Sequence, residues 1–227
     1  MGFKSKSFDT PTYIEQSSEI KRIIIISCEG ENTEPEYFET IKTKLSEYIY
    51  SGCTIHIVPH QKKGSEPEKI VCNLDDYIKE EYDYKRSDND EMWVILDREK
   101  VDERKKDILE MIPQCREKNY HIALTNPLFE FWLLLHIVDI SLYNRDVLYK
   151  NEWVSSSKNR RFIDKELSNK LENGYSKKKN KFNQSIVTKE NILRALEQER
   201  LFENELEKII DNLGSNVGEL IRRILDF

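Results

Sequence analysis

Four consecutive isoleucines at residues 23–26 constrain the fold more than any other stretch of the sequence. A run of β-branched residues favours a strand, and a strand that is apolar on both faces belongs inside a parallel sheet. The turn after the run contains Glu29, and a helix signal follows at once. Thr33 and Glu36 have the spacing of a capping box, which marks a helix start. Residues 22–40 therefore predict a strand, an acidic turn and a helix.

Three further segments have the composition of buried strands, and helical patterns separate them. The predicted strands cover 53–58, 92–97 and 120–125; the predicted helices cover about 34–49, a segment that ends near 82, 102–118, and a very apolar segment that begins near 127. Strands that alternate with helices predict right-handed crossovers and a parallel sheet covered on both faces. The fold class is therefore α/β, with a parallel sheet of about four strands.

Local signals predict the ends of these helices. Ser65 and Glu68 repeat the capping-box spacing before the second helix. Pro113 is expected to interrupt the third helix. Asn126 is predicted to be the N-cap of the fourth helix, with Pro127 at the first helical position.

The pattern becomes polar and helical from about residue 139 onward. Helices are predicted near 160–172, 188–210 and 215–226, with a lysine-rich loop at 174–182. The predicted organisation is an N-terminal arm at 1–20, an α/β domain at 21–140 and a helical C-terminal region at 141–227.

Composition excludes several classes of protein. Charged residues make up 34% of the chain and hydrophobic residues 38%, and no apolar run has the length needed to cross a bilayer. The first twenty residues lack the apolar core of a signal peptide. We therefore expect a cytoplasmic protein with no membrane partner.

Cysteine and glycine usage excludes two further kinds of site. The four cysteines are scattered without a Cys-x-x-Cys pair, which predicts buried free thiols rather than a zinc site or disulfides. The seven glycines form neither of the common nucleotide-phosphate loops. If ATP matters to this protein, we expect a separate ATPase to supply its hydrolysis.

Three acidic residues stand at the ends of predicted strands. Glu29 follows the first strand, and Asp97 and Glu99 follow the third. In a parallel sheet these side chains share the carboxyl edge, where clustered carboxylates without basic partners favour Mg²⁺ or Mn²⁺. Such a site suits phosphodiester cleavage. The alternative is that a chain with 42 acidic residues places some of them at strand ends by chance.

Two polar residues fall within the very apolar fourth helix. Glu130 requires a cation, a metal or backbone donors, because an unpaired buried carboxylate is costly. It is a candidate catalytic residue, and a structural carboxylate is the equal alternative. His136 could donate a proton near the site, but a satisfied core histidine fits its position better.

Positive charge is concentrated between residues 158 and 182, although the chain carries a net charge of −6. This segment contains nine Lys or Arg residues but only three acids, and aromatic residues lie between the basic ones. The candidate nucleic-acid contacts are Arg160, Arg161, Lys177, Lys178, Lys179 and Lys181. Clustered cations and aromatics are typical of RNA or single-strand recognition. A solvated helix and loop, or a docking surface for an acidic partner, remain the alternatives.

Three motifs resemble the signatures of the RloB family. They are CEGENTEPEYF at 28–38, LDRE at 96–99 and NPLFEFWLLLH at 126–136. Members of that family resemble the Toprim fold of topoisomerases, primases and OLD-type nucleases. The resemblance implies a Toprim-like sheet in an anti-phage defence protein, often encoded beside an ATPase, as in abortive-infection systems of the AbiL type.

The resemblance also implies roles for the acidic residues. Glu29 matches a glutamate that serves as general base or metal ligand, and Asp97 matches the first aspartate of an Asp-x-Asp metal motif. Glu99 stands where that motif has its second aspartate, and the extra methylene makes it the less secure ligand.

We therefore expect a Mg²⁺-dependent nuclease effector of phage defence that an ATPase partner controls. RNA, and tRNA in particular, is preferred over DNA because the basic segment is small and loop-like. The alternative is a non-catalytic docking or regulatory subunit of an ATPase-containing complex. A homo-oligomer is compatible with either function.

Overall fold

The carboxyl ends of four parallel strands form one edge of the sheet in the computed structural model. The structure describes residues 22–60, 67–81, 87–154 and 160–227. The predicted N-terminal arm at 1–20, Ser65 of the second capping motif and residues 158 and 159 of the basic segment lie outside the described residues.

The sheet has the strand order β2-β1-β3-β4-β5. The strands are β1 (Arg22–Cys28), β2 (Cys53–Ile57), β3 (Glu91–Asp97), β4 (Tyr120–Asn126) and β5 (Gly214–Ser215). The first four are mutually parallel, and β5 pairs antiparallel with β4. The α/β class and the four predicted strands are confirmed. The fifth strand comes from the C-terminal region, where a two-residue strand leaves no periodic signal.

Nine α-helices are assigned within the described residues. They are α1 (Thr33–Lys44), α2 (Pro67–Glu81), α3 (Asp102–Glu117), α4 (Phe129–Ile137), α5 (Arg145–Lys150), α6 (Phe162–Lys170), α7 (Lys189–Glu199), α8 (Leu206–Ile209) and α9 (Val217–Ile224). Three predicted extents are wrong. α1 gives way to a 3-10 turn at 46–48, α3 continues through Pro113, and the helix predicted at 188–210 is divided into α7 and α8.

The predicted caps of α1 and α4 do not form, because their side chains bond elsewhere. Asn126 is buried, and its amide donates to the Ile209 carbonyl at 2.7 Å, so α4 begins three residues later. The Thr33 hydroxyl lies 3.3 Å from the Tyr175 hydroxyl. The Glu36 carboxylate accepts the backbone N–H of residue 182 at 3.0 Å. Thr33 and Glu36 therefore bond to the C-terminal region instead of capping α1.

The core lies on both faces of the sheet, as predicted for a buried parallel sheet. Ile24 and Ile26 pack on one face with α1, α4 and the C-terminal helices, and Ile25 packs on the other with α2 and α3. α4 is central to the first layer, since every residue from 129 to 136 is buried. This arrangement fixes the start of α4 beside the end of β3.

The four cysteines are free thiols, as expected. Cys28 and Cys115 are buried, but Cys72 is exposed on α2, so the prediction that the thiols are buried is wrong for that residue. Within the described ranges, no helix combines the length and the apolar character that a bilayer crossing requires.

Gly214 provides a test of how β5 is held. An added Cβ at Gly214 would overlap the carbonyl oxygen of Glu203, a backbone atom that cannot rotate away. We expect Gly214→Ala to lower the free energy of unfolding by about 3 kcal/mol or more in urea titrations. Gly174→Ala is the control, because a Cβ there has space and costs about 1 kcal/mol for its positive φ of 68°. Equal losses would contradict the close approach at β5.

Candidate active site

Glu29 and Asp97 lie at the carboxyl ends of β1 and β3, on either side of the topological switch point of the sheet. β1 lies between β2 and β3, so the chain passes to opposite sides of β1 for the second and third strands. In open α/β sheets, ligands bind in the crevice outside the carboxyl ends of strands at such a switch point. Glu29 follows β1 directly, and Asp97 is the last residue of β3.

Glu29 is oriented by two donors from the neighbouring strand end and helix. Its Oε2 atom accepts the backbone N–H of Asp97 at 3.0 Å and also pairs with the Arg104 guanidinium. Burial raises the pKa of Glu29 to about 7; Arg104 and the Asp97 N–H oppose this rise, and Glu99 adds to it. Glu29 therefore exchanges its proton near neutral pH.

Arg104 joins the two strand ends. In addition to its pairing with Glu29, its Nε donates to the Asp97 carbonyl at 3.1 Å. The residue is 8% exposed. The guanidinium therefore holds Glu29 and the backbone of Asp97 in a fixed relation.

The Asp97 carboxylate links the end of β3 to the start of α4. Its Oδ1 atom accepts the backbone N–H of Phe129 at 2.7 Å. The pKa of Asp97 is raised well above its usual range, first by burial and then by the charges of Glu34, Glu29 and Glu130. Asp97 is therefore the residue on which the electrostatic repulsion of the site converges.

Glu34 belongs to the same cluster, although the sequence patterns described above did not predict a role for it. It is 6% exposed, and its carboxylate lies so close to Gly30 that an added Cβ there would overlap it. Burial, followed by the charge of Glu130, raises the pKa of Glu34 to about 7. An acid in the first turn of the helix after β1 was the available signal.

Glu130 is paired rather than isolated. Its Oε1 atom accepts the Tyr175 hydroxyl and lies 2.8 Å from the Lys177 ammonium. Its side chain is only 4% exposed. Both partners come from the loop at 174–182, so the C-terminal region completes this side of the cluster.

Lys177 is engaged with acids in this structure. Its ammonium also lies 3.4 Å from Asp164, and Asn32 donates to its backbone carbonyl at 3.2 Å. Burial lowers the pKa of Lys177, but Glu130 and Asp164 outweigh burial and raise it above its usual range. The predicted contact between Lys177 and nucleic acid would compete with these pairs.

The other predicted nucleic-acid contacts lie on two segments. Lys178, Lys179 and Lys181 are exposed on the loop. Arg160 bonds to Ser168 and to the Tyr175 carbonyl, whereas Arg161 lies over the Trp153 ring.

Glu99 follows β3 in a left-handed conformation, with φ of 42°. Its backbone N–H donates to the Pro127 carbonyl at 3.0 Å, and its charge helps to raise the pKa of Glu29. It therefore lies near the cluster.

His136 is a core residue rather than a proton donor at the site. Its side chain is fully buried, with Nε2 3.1 Å from the Tyr37 hydroxyl and Nδ1 2.9 Å from the Trp132 carbonyl. Burial lowers the pKa of His136 to about 4. Since Trp132 Nε1 also donates to Tyr37 at 3.0 Å, the three side chains form a neutral buried network.

The chemistry of the cluster fits a divalent cation, although no three-residue ligand set is assembled. Within residues 22–60, 67–81, 87–154 and 160–227, no three His, Cys, Asp or Glu side chains are arranged to hold a metal ion. The expectation of acids without basic partners is wrong, because Arg104 and Lys177 pair with them. Mg²⁺ needs only one or two carboxylates besides water and substrate oxygens, and Glu29 and Asp97 offer these.

The raised pKa values predict that stability falls as pH rises. Between pH 4.5 and about 7, folded Glu34 keeps a proton that the unfolded chain has lost. One such carboxyl costs roughly 2–3 kcal/mol of unfolding free energy over this window. Glu34→Gln should reduce the decline in urea titrations at several pH values. Glu103→Gln, on the exposed face of α3, is the control; a decline of the same size in Glu34→Gln and the wild type would contradict the assignment.

Adjacent lysines test the ion pair at Glu130. Lys177→Met leaves a buried carboxylate without its cation, so we expect a loss of about 1–3 kcal/mol, because the half-exposed ammonium is partly screened by solvent. Lys178→Met changes the same charge at an exposed position and should leave the unfolding free energy unchanged. Indistinguishable stabilities in chemical denaturation would show that the pair contributes nothing.

Comparison with known proteins assigns the chain to a family. The family model described as RloB-like protein matches residues 24–224. No curated protein and no solved structure matches the chain. The matched stretch includes the clustered carboxylates at both strand ends and the loop at 174–182 that contacts them. The chain belongs to the RloB-like family.

Proposed function

We propose that the protein is a Mg²⁺-dependent nuclease of the Toprim type. The observation that carries the proposal is the group of carboxylates from separate elements at the switch point, namely Glu29, Asp97 and Glu34, whose repulsion and burial raise their pKa values. Excess negative charge of this kind favours a cation together with a phosphate group.

Glu29 and Asp97 have different roles in this proposal. Glu29 acts as general base, because a pKa of about 7 allows it to accept a proton near neutral pH. Asp97 is the principal metal ligand, and Glu99, which stands where the Toprim pattern has its second aspartate, is the second and less secure ligand. The metal, Mg²⁺ or Mn²⁺, would activate water and neutralise charge at the phosphorus atom. Arg104 holds Glu29 in position.

We favour RNA, and tRNA in particular, over DNA as the substrate. Exposed Lys178, Lys179 and Lys181 lie on the loop that Glu36 ties to the start of α1, close to the acidic cluster. Cations on a short loop can contact the phosphates of a single strand or a splayed end. A small basic loop fits such a strand better than it fits a long duplex.

The biological setting that we propose is phage defence in the cytoplasm. The family resemblance implies an effector, and the sequence lacks a phosphate-binding loop. The nuclease would therefore stay inactive until an ATPase partner senses infection.

A second candidate function is a non-catalytic docking or regulatory subunit. The observation that favours it is the internal compensation of the acids by Arg104 and Lys177, together with the lack of a three-ligand set among the described residues. In this case the acidic crevice would bind a basic segment of the ATPase partner.

Cleavage assays separate the two functions. Labelled tRNA, single-stranded RNA and duplex DNA are incubated with Mg²⁺ or Mn²⁺ and with wild type or Asp97→Asn. We expect metal-dependent cutting of RNA that falls at least about 100-fold in the variant, since a metal supplies several kcal/mol. Glu103→Gln is the charge-matched control and should cut as the wild type does.

Two results would contradict this assignment of function or of residues. Activity that survives Asp97→Asn would remove Asp97 from the site. If neither protein cuts any substrate, the assay is repeated with the proposed ATPase partner, and a lack of cleavage there as well would favour the docking function.

A further inference from the structure

Trp153 is unusual among the three tryptophans of the chain. Trp93 and Trp132 are fully buried, whereas Trp153 is 63% exposed. A tryptophan that does not fill the core offers a large aromatic surface to a ligand. Its surroundings indicate which kind of ligand that surface fits.

Trp153 is held beside a guanidinium. Trp153 and Arg161 form an antiparallel backbone bridge, and backbone hydrogen bonds of 2.9 Å flank it on both sides. The Arg161 guanidinium carbon lies 5.3 Å from the centre of the Trp153 ring, which is within cation–π range. Arg161 forms no ion pair with a carboxylate in the described part of the chain. The backbone bridge therefore keeps the exposed ring beside a cation that is available to a phosphate.

The pair is connected to the acidic cluster through the preceding residue. Arg160 donates to the Tyr175 carbonyl at 3.3 Å, and the Tyr175 hydroxyl donates to Glu130. Neighbouring residues of an extended segment point to opposite sides, so Arg160 faces the cluster while Arg161 faces the exposed ring. A nucleic-acid strand whose phosphate lies at Glu29 and Asp97 could continue toward Trp153.

We propose that Trp153 and Arg161 form a stacking site for an unpaired nucleobase. The base would stack on the exposed indole, and Arg161 would contact the adjoining phosphate. This combination of aromatic face and cation is the usual means of holding single-stranded RNA or DNA. A single ring is much smaller than the roughly 800 Å² that each partner contributes to a stable protein interface. The choice of nucleic acid rests on the proposed nuclease function.

Fluorescence tests the proposal without cleavage. The full-length protein is titrated in EDTA with a short oligouridylate and with an abasic oligonucleotide of the same length and charge. Because Trp153 is the exposed tryptophan, we expect the oligouridylate to quench the emission and the abasic strand to leave it almost unchanged. Trp153→Ala should bind oligouridylate about 10-fold more weakly by anisotropy, and Trp153→Tyr should restore most of the affinity.

A matched variant separates stacking from simple charge attraction. Lys178→Ala should weaken the binding of both strands equally, whereas Trp153→Ala should weaken only that of the strand with bases. Melting temperatures close to that of the wild type establish that both variants are folded.

Three outcomes would overturn the proposal. They are equal affinity for the abasic and base-bearing strands, wild-type affinity of Trp153→Ala, and quenching by the ATPase partner but not by oligonucleotide, which would assign the ring to a protein interface. Because the titration is carried out in EDTA, it can detect a stacking site even if the protein has no nuclease activity. Conversely, an active nuclease can lack it, so failure here is distinguishable from failure of the nuclease function.

Discussion

Repulsion among carboxylates at the carboxyl edge of the sheet is the constraint on which the rest of the site depends. Glu29 follows β1, Asp97 ends β3, and Glu34 and Glu130 lie on α1 and α4; the last two are buried, and the first two are partly buried. Placing like charges together in a poorly solvated region is unfavourable unless cations or protons compensate. The fold uses both means. Arg104 and Lys177 pair with Glu29 and Glu130, whereas burial and neighbouring charges raise the pKa of Glu34 to about 7 and that of Asp97 well above its usual range.

This compensation explains why the C-terminal region packs against the sheet. Lys177 and Tyr175 reach Glu130 from the loop at 174–182, and Glu36 accepts backbone N–H groups of the same loop. β5 adds a further connection by pairing with β4. Ordering a polar loop costs conformational entropy, and the buried acids provide the interactions that offset this cost. The site and the C-terminal fold therefore stabilise each other.

The strands could be predicted from sequence because their signal is local. A run of β-branched residues such as 23–26 favours a strand regardless of the rest of the sequence. In a parallel sheet, the ends of the first and third strands then place Glu29 and Asp97 at one edge. The partners of these acids could not be predicted in this way. Arg104 lies 75 residues from Glu29, and Lys177 lies 47 residues from Glu130. The caps failed for the same reason, because distant groups compete for Thr33 and Asn126.

The two compensating cations differ in a way that bears on function. Arg104 is almost fully buried and bonds to both strand ends, so its removal would leave Glu29 without its partner. Lys177 is half-exposed, so solvent partly screens its pairs with Glu130 and Asp164. In the proposed nuclease, a metal ion bound by Asp97 would add positive charge to the cluster beside that of Lys177. The acidic cluster is thus compensated by one buried cation that orients Glu29 and by one half-exposed cation that pairs with Glu130.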